Sequence, residues 1–134
     1  MPEISGQLDA LCVGLIDEAL WMLDAGEDVV VLLATDAQDD ALGFEDDTPD
    51  GCYRAACEHI AGLGAACTRY ALLYAGAVQH SAGESARDAL LFEFAERGMP
   101  HAWSGYVLCG RDDDGRVWAG EACPAGACEL LFGT

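Results

Sequence analysis

The chain contains no lysine and no asparagine, and isoleucine only at Ile4, Ile16 and Ile60. Its six basic residues are all arginine and stand against 24 acids, for a formal net charge of −18. A surface that negative repels phosphate backbones and anionic lipid, which argues against nucleic acid and membrane as direct partners. The same charge suits cationic partners or divalent metals and keeps the chain in solution. Lysine and asparagine have AT-rich codons, so a GC-rich genome of bacterial type accounts for their absence. Seven cysteines and a high aliphatic content fit that explanation better than adaptation to salt.

Long apolar runs are also missing. The longest, Ala71–Val78, counts eight residues with Gly76 included, against about 20 for a membrane-spanning helix. Met1-Pro2-Glu3 has neither the basic nor the apolar region of an export signal, so a cytoplasmic location is expected. Seven cysteines in that setting are expected as reduced thiols, since an odd number cannot all pair. Cys12, Cys57 and Cys109 stand where apolar residues are expected and read as core filler.

Catalytic signatures are absent as well. There is no G-x-S-x-G, P-loop or G-x-G-x-x-G. Cys123 and Cys128 are spaced C-x4-C, wider than the usual zinc knuckle. Cys52 and Cys57, five positions apart on a helix, would project about 140° apart. The deaminase pattern fails because Pro124 follows its cysteine. Asp112-Asp113-Asp114-Gly115 lacks the alternation of a calcium loop and reads as a hairpin turn. No metal and no cofactor is therefore expected. Asp36, Asp39, Asp40, Glu45, Asp46, Asp47 and Asp50 form an acidic run that suits a solvated, aggregation-resistant edge, although carboxylates can also hold Mg²⁺. A cysteine nucleophile with His59, His80 or His101 would be assembled only by the fold.

What is present is a regular pattern of elements in one domain, 1–134. At 134 residues the chain can bury a core without metal or disulfide staples. Residues 5–25 place Leu8, Leu11, Cys12, Leu15, Ile16, Ala19, Met22 and Leu23 on one helical face. Ser5 suits the cap and Gly26 the stop, and Trp21 at the stripe's edge is expected to seal the helix against a sheet. Val29–Asp36 reads as a buried strand and Ala41–Glu45 as a short partner. Thr48-Pro49-Asp50 starts a second helix reaching Gly62, with Tyr53, Ala56, Cys57, Ile60 and Leu63 inward. Strands follow at Tyr70–Gln79, Ala89–Glu96, Ala102–Arg111 and Val117–Glu121, with a polar loop at His80–Arg87. Ala89–Glu96 also fits a helix, between a Ser85/Asp88 capping box and an Arg97-Gly98 stop; the strands on either side favour a strand. Residues 122–128 read as loop, and Glu129–Phe132 as a last short strand or a docked apolar tail.

The expected fold class is α+β: two amphipathic helices packed on an antiparallel sheet, in the order α-β-β-α-β-β-β-β. That order resembles the roadblock and profilin-like architectures, in which helices flank a five-stranded sheet. The resemblance is one of element order and transfers no function.

The candidate binding patch is Glu93, Glu96, Arg97, His101 and Arg111. A carboxylate, a guanidinium and an imidazole near one Gly98–Pro100 turn are the groups for acid–base work or for holding a small anion; a surface hairpin with an ion pair is the plainer account. No catalytic residue is assigned. The first functional expectation is a non-catalytic interaction or regulatory domain that binds a protein partner or itself, a homodimer being the simplest form. Trp21, Trp103, Trp118, Tyr70, Tyr74 and Tyr106 motivate it, because aromatics favour interfaces. The alternatives are a metal-assisted hydrolase using the clustered carboxylates or the Glu93–His101 turn, and an acidic mimic that blocks a nucleic-acid-binding protein.

Overall fold

The computed structural model of the protein describes residues 4–44, 46–79, 83 and 85–133. Met1, Pro2, Glu3, Glu45 and His80, named above, lie outside the described residues, as do positions 81, 82 and 84 of the His80–Arg87 loop. The described elements run α1 (Gly6–Asp24), β1 (Val31–Thr35), β2 (Leu42–Gly43), α2 (Pro49–Leu63), β3 (Arg69–Val78), β4 (Arg87–Glu96), β5 (Ala102–Arg111) and β6 (Val117–Cys128), with a 3-10 turn at Gly64–Ala66. Among the described residues, six strands form one antiparallel sheet in the order β2-β1-β3-β4-β5-β6. The class is α+β with the expected element order, on a sheet one strand wider than the five-stranded one the element order resembles.

Both helices start where their caps require. The Ser5 hydroxyl accepts from the Leu8 amide at 3.1 Å, and the Thr48 hydroxyl accepts from the Gly51 amide at 3.0 Å with Pro49 in the first turn. Past α1, Gly26 takes a φ of +83°, open to glycine at little cost.

Residues 87–96 are strand, and their alternation sorts the sheet into two faces. Leu90, Phe92 and Phe94 join Leu8, Cys12, Leu15, Leu73 and Val107 in the core under α1. Ala95 joins Tyr70, Leu72 and Ala102 in a second core under α2, with Cys52, Ala56 and Ile60. β1 is buried on both faces because it lies between the two helices: Leu32 belongs to the first core, Val31 and Leu33 to the second. Gly105 on β5 leaves room for the Phe92 ring; a Cβ there would stand 2.7 Å from Phe92 Cζ.

Two expectations are corrected. Residues 122–128 are strand, not loop. β6 runs on from Val117 to Cys128 opposite β5, slipping register between Val107 and Cys109 and again between Ser104 and Gly105. Pro124 is tolerated because β6 is the outer strand, where an outward-facing N–H has no ladder partner, and it sits beside a register slip that absorbs the extra residue. Trp21 does not seal α1 against the sheet; it is 64% exposed. The helical stripe is narrower than the apolar pattern suggests, and Leu8, Cys12, Leu15 and Ala19 are its buried members.

The tail docks. Leu130, Leu131 and Phe132 pack on the second core, the Leu131 amide donates to the Tyr70 hydroxyl at 3.2 Å, and the Phe132 ring meets Tyr70 edge-on at 5.0 Å.

Asp36, one of the acidic run, ties β1 to the start of β3. Its carboxylate accepts from the Thr68 hydroxyl, the Thr68 amide at 2.9 Å and the Arg69 amide at 3.1 Å. Burial alone would raise its pKa, but these bonds and the Arg69 charge outweigh it and hold the carboxyl below 3.8. On the same face, across β3, the bond from Arg69 Nε lowers the Glu96 carboxyl below its ordinary 4.5. A depressed carboxyl contributes stability above its unfolded pKa and loses that contribution as pH falls through the folded one. Urea midpoints are therefore expected to fall as pH drops below about 4.5. Asp36→Asn should flatten that slope; an unchanged slope would remove Asp36 from the acid response. Both side chains keep contact with solvent, 20% exposed for Asp36 and 26% for Glu96, so the effect per group is small.

Candidate functional site

The five patch residues do not form one patch. Each is held by a different part of the fold, and parity along β4 separates the two acids. Glu96 shares the first face with Phe94 and reaches the amino end of α1, where its carboxylate accepts from the Ser5 hydroxyl at 3.1 Å and from Arg69 Nε at 2.8 Å. Arg111 stands at the other end of the same helix and donates to the carbonyl oxygens of Leu23 and, at 2.7 Å, Gly115. α1 has 19 residues and spans about 28 Å at 1.5 Å per residue. Glu96 and Arg111 are thus about a helix length apart, each with the sign of charge that its end of the helix dipole favours. The last turn of α1 carries no base of its own, so β5 supplies one.

Arg97 does comparable work for α2. Its guanidinium donates to the carbonyls of Cys67 at 2.8 Å, Gly64 at 2.7 Å and Gly133 at 3.2 Å, and it lies 4.7 Å over the Phe132 ring. It clamps the carboxyl end of α2 to the docked tail. The His101 ring lies edge-on to Trp103 at 4.7 Å, its Nδ1 3.3 Å from the Ala102 carbonyl. Trp103 packs on the first core, across the sheet from Glu93.

Glu93 is the patch member with unusual surroundings. It is 6% exposed and lies on the second face, opposite to Phe92 and Phe94 as its parity requires. The phenol of Tyr53, from α2, donates to its Oε2 at 2.7 Å, and the phenol of Tyr74, from β3, donates to the same oxygen at 3.0 Å. The Cys128 thiol donates to Oε1 at 3.7 Å. The two phenol rings meet edge to face at 5.3 Å. A buried carboxylate needs donors, and here neutral groups from three elements supply them. Burial, and then the Glu93 carboxylate, push the Tyr53 and Tyr74 phenols above their ordinary range, and push the Cys128 thiol up to about 11. Burial raises Cys57 nearby too. Thiols and phenols so placed stay protonated at neutral pH and are poor nucleophiles. The cluster fastens α2 to the sheet and ties β3, β4 and β6 together; it does not present an activated group to solvent.

Tyr53, Tyr74 and Cys128 were not among the residues of the candidate binding patch. The signal for them was Glu93 itself: an acid on an inward-facing strand position demands hydroxyl or thiol donors on whatever packs against it.

All seven cysteines are free. Cys12 and Cys109 are core members and Cys57 is half-buried. Burial raises Cys12 to about 12. Cys123 lies opposite Tyr106 and Cys128 opposite Ala102. Asp112 folds its carboxylate back onto the amides of Asp114 at 3.0 Å and Arg116 at 2.9 Å, as a hairpin turn does. His59 stacks edge-on with Phe44 at 5.7 Å. Among the described residues, no group of three His, Cys, Asp or Glu side chains is placed to hold a metal ion, and no helix is long and apolar enough to cross a membrane.

Among the described residues, part of the second face lies beyond both helices and the tail. α2 lies on β1 and β3, and the tail covers the part of the second face near Tyr70, Ala95 and Ala102. Over β4, β5 and β6 the same face carries Leu91, Tyr106 and Leu108, each half-buried, and Trp118, 40% exposed. Tyr106 stands between Leu91 and Cys123 across the ladder, and Trp118 lies over Gly110, where a Cβ would come within 3.0 Å of the indole nitrogen. β6 is the outer strand of the sheet, so this strip runs to an open edge. Compared with protein-family models, with curated proteins and with solved structures, the chain matches none.

Proposed function

We propose that the chain is a non-catalytic interaction domain that self-associates through the second face of β4–β6. The observation that carries this reading is the strip of Leu91, Leu108 and Trp118 beside Tyr106, which among the described residues neither α1 nor α2 covers. Contiguous apolar surface with aromatic anchors is characteristic of protein interfaces. The partner is a second copy because of charge. In a chain of net charge −18, the strip residues and their neighbours Gly110 and Cys123 are uncharged. Two copies meeting there bring together uncharged side chains. The open β6 edge adjoins the strip and gives the two copies backbone groups to pair. The saturated Glu93 cluster supports the absence of catalysis at that site.

Sedimentation at rising concentration tests the reading. A dimer is expected, and it is expected to tighten in high salt, because salt screens the repulsion between two acidic bodies. An association that weakened with salt would point to charge attraction, and a monomer under all conditions would refute self-association.

A further inference from the structure

On the first face the sheet extends past the helix that covers it. α1 ends at Asp24, and beyond its last turn lies a cavity of about 490 Å³ between Leu23 and Val29 on one side and the ends of β3–β6 on the other. The volume is within the roughly 300–1,000 Å³ of small-molecule sites. Its floor is apolar: Val29, Leu90 and Cys109, all under 10% exposed, with Ala75 beside them. Ala75 and Leu90 are cross-strand partners, and the small alanine methyl leaves the depth that a longer side chain would fill.

The polar lining is of one sign apart from a single arginine. Asp28 and Asp88 line the cavity, and both are exposed. Arg111 also lines the cavity, but its guanidinium is engaged with the Leu23 and Gly115 carbonyls. An apolar floor under an acidic mouth is complementary to a small organic cation with an apolar body, and the chain's charge of −18 concentrates such cations near it.

We propose that this cavity binds a hydrophobic amine, its apolar body on Val29, Ala75, Leu90 and Cys109 and its ammonium group beside Asp28 and Asp88. The site lies on the face opposite the self-association strip, so the two proposals stand or fall separately.

The test uses the full chain labelled with ¹⁵N and three probes of matched shape: 2-phenylethylammonium, 2-phenylethanol and 3-phenylpropanoate. Saturable amide shifts are expected with the amine at Val29, Ala75, Asp88, Leu90 and Cys109, with weaker binding of the alcohol and none of the carboxylate. The Asp28→Asn/Asp88→Asn variant should weaken amine binding by roughly five- to tenfold, the size expected for two exposed charges. Ala75→Leu, with its fold checked by the amide spectrum, should abolish it by filling the cavity. Equal binding of amine and alcohol, shifts confined to other surfaces, or no saturation at millimolar amine would each overturn the proposal.

Discussion

Phe94→Ala is expected to lower the free energy of unfolding by about 3–5 kcal/mol, the range for removing a buried aromatic ring. Phe94 is 1% exposed and stacks with Phe92 at 6.0 Å. Its ring fills the core between β4 and α1, and the cavity left behind would be walled by Leu8, Cys12 and other side chains that are themselves fully packed. The informative control is the pair Leu90→Ala and Leu91→Ala. Leu90 is 1% exposed on the first face, whereas Leu91 is half-buried on the second. In a strand the first should cost about 2–5 kcal/mol and the second distinctly less. Were residues 87–96 helical, Leu90, Leu91 and Phe94 would share one stripe and the two leucines would cost alike. Urea unfolding of the three variants separates the cases.

The Glu93 cluster gives the second large effect, and here the sign depends on how much of the cluster is removed. Tyr53→Phe/Tyr74→Phe takes away the two phenols on Oε2 and leaves a buried carboxylate with the Cys128 thiol. The expected cost is about 2–5 kcal/mol, since a buried charge stripped of its donors is the expensive state. Adding Glu93→Leu to the same chain removes the charge as well and should recover most of that loss, because replacing a whole buried polar group by apolar ones of similar shape is close to neutral. A triple variant as unstable as the double would mean that the phenols act through packing, not through the carboxylate. Both chains can be followed by thermal and urea unfolding.

Much of the fold was legible because its signals are local. Ser5 and Thr48-Pro49 mark helix starts by the chemistry of orphan amides, and Asp114-Gly115 marks a hairpin by the backbone it permits. The two-residue alternation of Leu90, Phe92 and Phe94 against Glu93 and Ala95 fits a strand at β4, but a helix fits the same letters, and the strands on either side decide between them. The continuation of β6 through 122–128 was not legible. Pro124 and Gly126 read as loop residues, and whether such residues break a strand depends on whether it lies at an edge, which is a property of the whole sheet.

The patch failed to assemble for a related reason. Glu93, Glu96, Arg97 and His101 are near in sequence, but positions 93 and 96 differ in parity, so a strand sends them to opposite faces. That much was implied by the strand assignment. The partners were not implied: Tyr53 reaches Glu93 only through the docking of α2 on β3, and Arg111 reaches Leu23 across 88 residues of sequence. Side chains that looked like a functional group instead hold helix ends and the tail in place.

The uncovered strip is where the functional account is most exposed to test. Mixing ¹⁵N,¹³C-labelled with unlabelled chain and recording intermolecular NOEs examines it directly. The account predicts cross-copy contacts between the Trp118 indole and the Leu91, Tyr106 and Leu108 side chains, lost in Leu108→Glu. Cross-copy contacts confined to the outer surface of α1, with the Trp118 strip silent, would contradict it.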